Sequence, residues 1–231
     1  MKKSKRVKKS NSWKIKQQRD QFFKKSKILG YRSRASFNLI ELNEKFKFIK
    51  KSSNLLDLGA YPGGWSQVVS KIITSGKILS IDLKPMEEIK NVKFLQCNIL
   101  DQITKGKIEN YFKGSLDVIL SDMAADTTGH RSTDHLRTTA LLEAALYFAL
   151  DILNQNGFFL AKCFRGGAEK SLLDIMQRNF KTVRHVKPAA SRSESVESYV
   201  LAVGFHGIGK AEDIAADVVA GRRNADGMII I

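Results

Sequence analysis

Short apolar runs alternate with stretches of helical length from residue 54 to residue 205, and this alternation limits the fold more than any other feature of the chain. Residues 54–58 read as a buried strand, followed by a Gly/Pro loop and a helix from about Gly64. Further strands are predicted at 77–83, 92–96, 116–121 and 157–163, with final ones at 182–186 and 198–205. A polar loop, 122–134, leads into a long helix ending near Leu153, and a second helix is predicted over 169–180. Upstream, Phe37, Ile40, Leu42 and Phe46 fall near helical spacing. Strands separated by helices cannot close tight hairpins, so the pattern implies an open α/β sheet with mostly parallel strands.

Charge divides the chain differently. Residues 1–50 carry 17 Lys/Arg against three acids, whereas the remaining 181 carry 22 against 20. A cationic arm beside a near-neutral body points to a polyanionic partner, bound in a strongly salt-dependent way. An anionic membrane surface is the weaker candidate. Trp13, Phe22, Phe23 and Tyr31 interleave with the basic residues. Such aromatics either stack on bases or anchor a helix to the core, and anchoring is the reading adopted for Phe22 and Phe23. The hydrophobic fraction of 43% excludes wholesale disorder. The best apolar run, 144–153, is short and broken by Asp151, which argues against a membrane span. The basic start lacks an apolar signal core, and Cys97 and Cys163 form neither a disulfide framework nor a metal set. A reducing cytoplasm is the expectation. His130 and His135 have no third ligand nearby, so no metal site is expected. Residues 206–231 read as an appendage with a short helix at 212–220.

The Gly-rich loop Gly59-Ala60-Tyr61-Pro62-Gly63-Gly64 follows the first strand, where open parallel sheets bind ligands. Gly59, Gly63 and Gly64 allow a sharp turn and close approach to a ligand. Asp82 ends the next strand, 23 residues after Gly59, and a carboxylate there can accept from both hydroxyls of a ribose. The pair suggests a nucleoside-containing cofactor. The loop is not G-x-G-x-x-G, which lowers the odds of a dinucleotide and of a nicotinamide dehydrogenase. S-adenosyl-L-methionine fits better, its sulfonium cation matched by Asp57 or Asp122. Trp65 is either part of this cradle or a core aromatic behind it.

Several separated motifs occur in order: Arg32-Ser33-Arg34-Ala35-Ser36-Phe37; Asp57-Leu58-Gly59 through Trp65-Ser66-Gln67; Ser121-Asp122-Met123-Ala124; Lys162-Cys163-Phe164; Ser191-Arg192; and Glu197-Ser198-Tyr199. On these, over about residues 12–205, the chain resembles the FtsJ/RrmJ (RlmE) family of ribose 2′-O-methyltransferases. The resemblance implies a Rossmann-like class I S-adenosylmethionine-dependent fold, with a seven-stranded, mostly parallel sheet flanked by helices. It implies a basic arm and RNA-binding helix at 1–50, a methyltransferase domain at 51–205 and an extension at 206–231. The implied reaction is 2′-O-methylation of a uridine in 23S rRNA of the large ribosomal subunit; since nothing in the sequence demands more than a monomer, a monomer is the expectation. Cofactor contacts fall on Asp57, Gly59, Gly63, Trp65, Asp82, Asn98 and Asp122, and RNA contacts on Arg32, Arg34 and Arg192. Of the family's Lys-Asp-Lys-Glu tetrad, Asp122, Lys162 and Glu197 are present, but Asn38 stands where the first Lys belongs. Ala124-Ala125-Asp126 replaces the usual Ala-Pro-Asn, and Asn98 replaces an adenine-contacting acid.

A ribose hydroxyl is a poor nucleophile until a base withdraws its proton, and Lys162 is the candidate. It must be neutral to act, which burial favours and the nearby acids oppose. Alternatively the three side chains form a strand-end ion pair. Asn38 removes a cation that would depress the Lys162 pKa; Arg34, one helical turn earlier, offers a charge but no base. The alternative functions are a tRNA 2′-O-methyltransferase and a ribosome-assembly factor that retains the fold without the chemistry.

Overall fold

A computed structural model describes residues 20–125, 128–164, 170–192 and 195–207. The expected helix at 212–220, Trp13 and the first 19 residues lie outside that range. Helices α1 (Gln21–Ile28) and α2 (Ala35–Phe46) precede the sheet. There follow β1 (Leu55–Leu58), α3 (Gly64–Ile72), β2 (Ile78–Asp82), β3 (Lys93–Gln96), α4 (Gln102–Phe112), β4 (Leu116–Ser121), α5 (Arg131–Ile152), β5 (Leu153–Phe164), α6 (Lys170–Asn179), β6 (Phe180–Val186) and β7 (Glu197–Phe205). The strands form one seven-stranded sheet in the order β3-β2-β1-β4-β5-β7-β6. Strand β7 is antiparallel to β5 and β6; the other pairs are parallel. The α/β expectation therefore holds.

Both faces of the sheet are covered, so its central strands read as continuous apolar runs. All four residues of β1 are buried. Alternation along β1 sends Leu56 and Leu58 to one face of the sheet, whose apolar cluster also includes Ile108 of α4 and Leu146 of α5 and extends to Met176 of α6. Leu55 faces the other way, packing with Leu39 and Leu42 of α2 and with Trp65 and Val69 of α3. Phe48 and Ile49 join the same cluster. The core thus begins well before residue 51, where the expected domain boundary fell. Strand order reverses between β1 and β4, and a crevice opens there at the carboxyl ends of the strands.

The differences from expectation are local. Helix α4 was not anticipated: Gly106 falls within it, and it has only a narrow stripe in which Ile108 and Phe112 alone are buried apolar residues. Helix α5 starts at Arg131, inside the expected loop, so His135 is helical. The Asp134 carboxylate anchors this start, accepting from the amide and hydroxyl of Thr128, both at 2.7 Å, and from the Gly129 amide at 3.3 Å. Strand β5 begins at Leu153, four residues early, where it pairs with Leu116. Asp20 caps α1, its Oδ1 accepting from the amides of Phe22 at 3.0 Å and Phe23 at 3.2 Å. The Phe22 ring lies 5.4 Å from that of Phe37, which anchors α1 to α2 as expected.

Candidate active site

The carboxyl ends of β1, β2 and β4 border a cleft of about 650 Å³ whose lining includes Gly59, Asp82, Asn98, Asp122 and Lys162. Ile81, Leu83, Ile99 and Leu100 supply an apolar wall. Gly59 is required here: its φ is +73°, and a Cβ would stand 2.8 Å from both backbone and side chain of Met123. Asp82 is fixed by the amides of Tyr61 at 2.9 Å and Lys84 at 2.8 Å, one on each carboxylate oxygen. Each oxygen retains acceptor capacity for a hydroxyl. Asn98 uses its carboxamide oxygen to accept from the Leu100 amide at 3.0 Å, so its NH2 is the group it can offer an aromatic ring acceptor.

Three expected cofactor residues, Asp57, Gly63 and Trp65, are not among those that line the cleft. Asp57 shares the face of Leu55 and is fully buried beneath α3. The Ser66 hydroxyl donates to its Oδ2 at 2.7 Å and lies 2.9 Å from the Ser80 hydroxyl. Burial, with the charges of Asp122 and Asp82, pushes the Asp57 carboxyl up to about 7 against the Ser66 hydrogen bond. Direct pairing of Asp57 with a sulfonium in the cleft is therefore set aside, because its carboxylate is fully buried beside Ser66 and does not line the cleft. Trp65 is a core aromatic: 2% exposed, it donates from Nε1 to the Ala35 carbonyl at 2.9 Å and packs 5.6 Å from the Tyr199 ring. What it can offer a ligand is its first-turn amide. Gly63, with φ +107°, takes the segment carrying Met86 and Ile89 against its bare Cα, where a Cβ would lie 2.9 Å from each.

Where β4 and β5 border the cleft, Lys162 Nζ lies 2.8 Å from Asp122 Oδ1 and 3.5 Å from Glu197 Oε1. Register explains the convergence. Lys162 is paired with Tyr199 and Phe164 with Glu197 across β5 and β7, so all four side chains share one face. Asp122 follows β4, its amide donating to the Leu58 carbonyl at 3.0 Å. The Tyr199 hydroxyl donates to Asp122 Oδ1 at 3.4 Å and accepts from Asn38 Nδ2 at 3.1 Å. Asn38 thus occupies the site as the outer member of an Asn–Tyr–Asp–Lys chain. Tyr199 was not singled out among the candidate residues; the signal was its place two residues after Glu197, on the same strand face.

Burial works against a charged Lys162, but the Asp122 carboxylate, the Tyr199 oxygen and Glu197 outweigh it and raise its pKa. Burial, joined by Glu197, likewise raises Asp122 above the usual carboxylate range although Lys162 opposes it. Burial and the Asp122 charge raise Tyr199. Lys162 is therefore an ammonium at neutral pH in this structure. The contest between burial and acids is won by the acids.

The three arginines expected to meet RNA are partly engaged within the chain. Arg32 donates to the carbonyls of Glu87 at 2.8 Å and Glu88 at 3.0 Å. Arg34 Nε pairs with Asp20 Oδ2 at 2.8 Å, and Arg192 Nε donates to the same oxygen at 2.9 Å. Burial disfavours the Asp20 charge, but the Arg192 hydrogen bond, the Phe23 amide and the Arg34 charge hold the carboxyl below its usual range. Glu41 accepts from the amides of Ala189 at 2.8 Å and Ala190 at 2.9 Å. Together these contacts tie α1, α2 and the segment before Glu197 into one rim.

The chain is similar to known methyltransferases. Proteins named ribosomal RNA large subunit methyltransferase E from Bradyrhizobium diazoefficiens and Rickettsia akari are 49% and 47% identical to this chain, over 87% and 86% of it and 90% of each relative. A crystal structure from Plasmodium falciparum, described as a ribosomal RNA methyltransferase, is 32% identical, covers 77% of this chain and 100% of its own, and superposes with a TM-score of 0.68. The family model for FtsJ-like methyltransferases matches residues 31–205, which takes in the whole sheet, the cleft and the lysine cluster, and the chain belongs to that family.

Proposed function

We propose that this protein methylates the ribose 2′-hydroxyl of a uridine in 23S rRNA of the large ribosomal subunit, using S-adenosyl-L-methionine, in the cytoplasm. The observation that carries the reading is the convergence of Lys162, Asp122, Glu197 and Tyr199 at the border of a cleft built for a nucleoside. The relatives' names supply the RNA, and the basic arm supplies the means to hold a polyanion.

The cleft suits the cofactor on its own chemistry. Asp82 presents a fixed carboxylate to ribose hydroxyls, Asn98 a carboxamide to the adenine, and the Ile81–Leu100 wall an apolar surface to its ring. Asp122 gives this border negative charge to match a sulfonium. When bound, the cofactor supplies an electrophilic methyl group.

The chain's own part is to place the hydroxyl and take its proton. A ribose hydroxyl brought to Lys162 Nζ meets an ammonium held by two carboxylates. The amine accepts the hydroxyl proton only after losing its own. Glu197, more exposed than Lys162, offers the path by which that proton reaches water. Tyr199 keeps Asp122 aimed at the amine, and Asn38 keeps Tyr199 aimed at Asp122. Activity consequently rises with pH as the fraction of neutral Lys162 grows.

The test is transfer of labelled methyl to large subunits from cells lacking the protein, followed by mapping of the modified nucleotide. Label on a 23S uridine 2′-oxygen is expected; label on tRNA alone moves the substrate to that class. Asn38 favours one second reading, a fold-retaining assembly factor, which would bind subunits without transferring label.

A further inference from the structure

We infer that Phe164 and His135 form the surface on which the base of the target nucleotide stacks, an inference that rests on the RNA methylation proposed above. Phe164 is the last residue of β5, two positions beyond Lys162. It shares the face of Lys162 and stands roughly 6.6 Å farther along the strand. Its cross-strand partner is Glu197, as Tyr199 is that of Lys162. Amine, carboxylate and ring therefore form a row leading away from the cleft.

Phe164 is also spare as a packing residue. Phe158 and Phe159 of the same strand pack into the two apolar clusters, and Phe164 belongs to neither. It is half-buried, and so is His135, whose ring faces it from the start of α5 with centroids 6.4 Å apart and planes 29° apart. That spacing is an ordinary one for an aromatic pair, and the partial exposure of both residues leaves ring surface for a third planar group.

Position then selects the ligand. A nucleotide whose hydroxyl meets Lys162 cannot send its base toward Asp82 and the apolar wall, the part of the cleft assigned to the cofactor. The remaining direction runs along β5 to Phe164. Stacking tolerates any base, so the pair sets the affinity and pose of the target nucleotide and leaves the choice of uridine to other contacts.

The experiment compares Phe164→Ala, Phe164→Leu and Phe164→Tyr on unmethylated large subunits, with cofactor affinity measured in parallel. The Ala and Leu variants should lose about ten- to a hundredfold in kcat/KM for the subunit. The Tyr variant should stay within about threefold of the parent, with cofactor binding unchanged in all three. Leu performing as well as Tyr would reduce the role to volume and overturn the inference. A second arm needs no turnover: a short uridine-containing oligonucleotide is titrated into protein carrying labelled aromatic rings. Ring-current shifts at Phe164 and His135 are expected. Silence at both rings while arm resonances move overturns the stacking surface, whereas shifts without methyl transfer to any subunit overturn the methylation reading instead.

Discussion

Asp57 sits in a niche shared with Ser66 and Ser80, and its Oδ1 is buried with no hydrogen-bond partner among the described residues. Its carboxyl is raised from 3.8 to about 7, so the folded protein keeps a proton there that the unfolded chain releases. Stability from this group is therefore lost as pH rises from about 4 to about 7, by roughly a few kcal/mol, and stays lost above that. Asp57→Asn carries no charge at any pH. Its melting temperature should gain on the parent across that window by several degrees and then run parallel, and a pH-independent difference would refute the assignment. Asn38 is the other informative residue. A lysine in its place would put an ammonium against the Tyr199 hydroxyl and near Asp122, lowering the proton affinity of Lys162. The acid limb of the pH–kcat profile of Asn38→Lys should lie about one pH unit below the parent's, and superimposable profiles would contradict the electrostatic account. Both residues were visible as sequence letters. Their roles were not, because which face of β1 carries Asp57 and which hydroxyl Asn38 meets are facts of packing.

Among the elements, the rim formed by α1, α2 and the segment before β7 depends most on single side chains. Asp20 both caps α1 and bridges Arg34 to Arg192, joining groups 172 residues apart at the widest. Removing it in Asp20→Ala costs about 1 kcal/mol for the cap alone. The expected outcome is faster hydrogen exchange at the amides of α1 with unchanged cofactor affinity; unaltered exchange would mean that the Phe22–Phe37 contact suffices. The strong elements were legible because their patterns are strong. The strand 54–58 carries three leucines in five residues, and Gly59 with Asp82 marked the loop and the strand end around the cleft. Helix α4 was hidden because only one narrow stripe of it is buried, and the start of α5 was hidden because Asp134 anchors it through polar contacts that have no hydrophobic period. The same limit applies to the arginines. Their motif suggested RNA, but a guanidinium's partners inside the fold, such as the Glu87 and Glu88 carbonyls, leave no trace in local sequence.

At the scale of the molecule, charge and chemistry are set apart. The excess cations lie in the first 50 residues, while the cleft and lysine cluster belong to a body of nearly balanced charge. Binding to RNA should then be governed by the arm and fall linearly on a log–log plot against salt, with cofactor binding nearly indifferent to salt. Equal salt sensitivity of the two would place the polyanion site in the cleft itself. The account as a whole stands on Lys162 as the group that takes the ribose proton. Its most direct test is single-turnover methyl transfer by Lys162→Ala to large subunits that lack the modification, with cofactor affinity measured on the same preparation. No label at the mapped uridine, with cofactor affinity within about twofold of the parent, is the predicted result; transfer at the parent rate would contradict it.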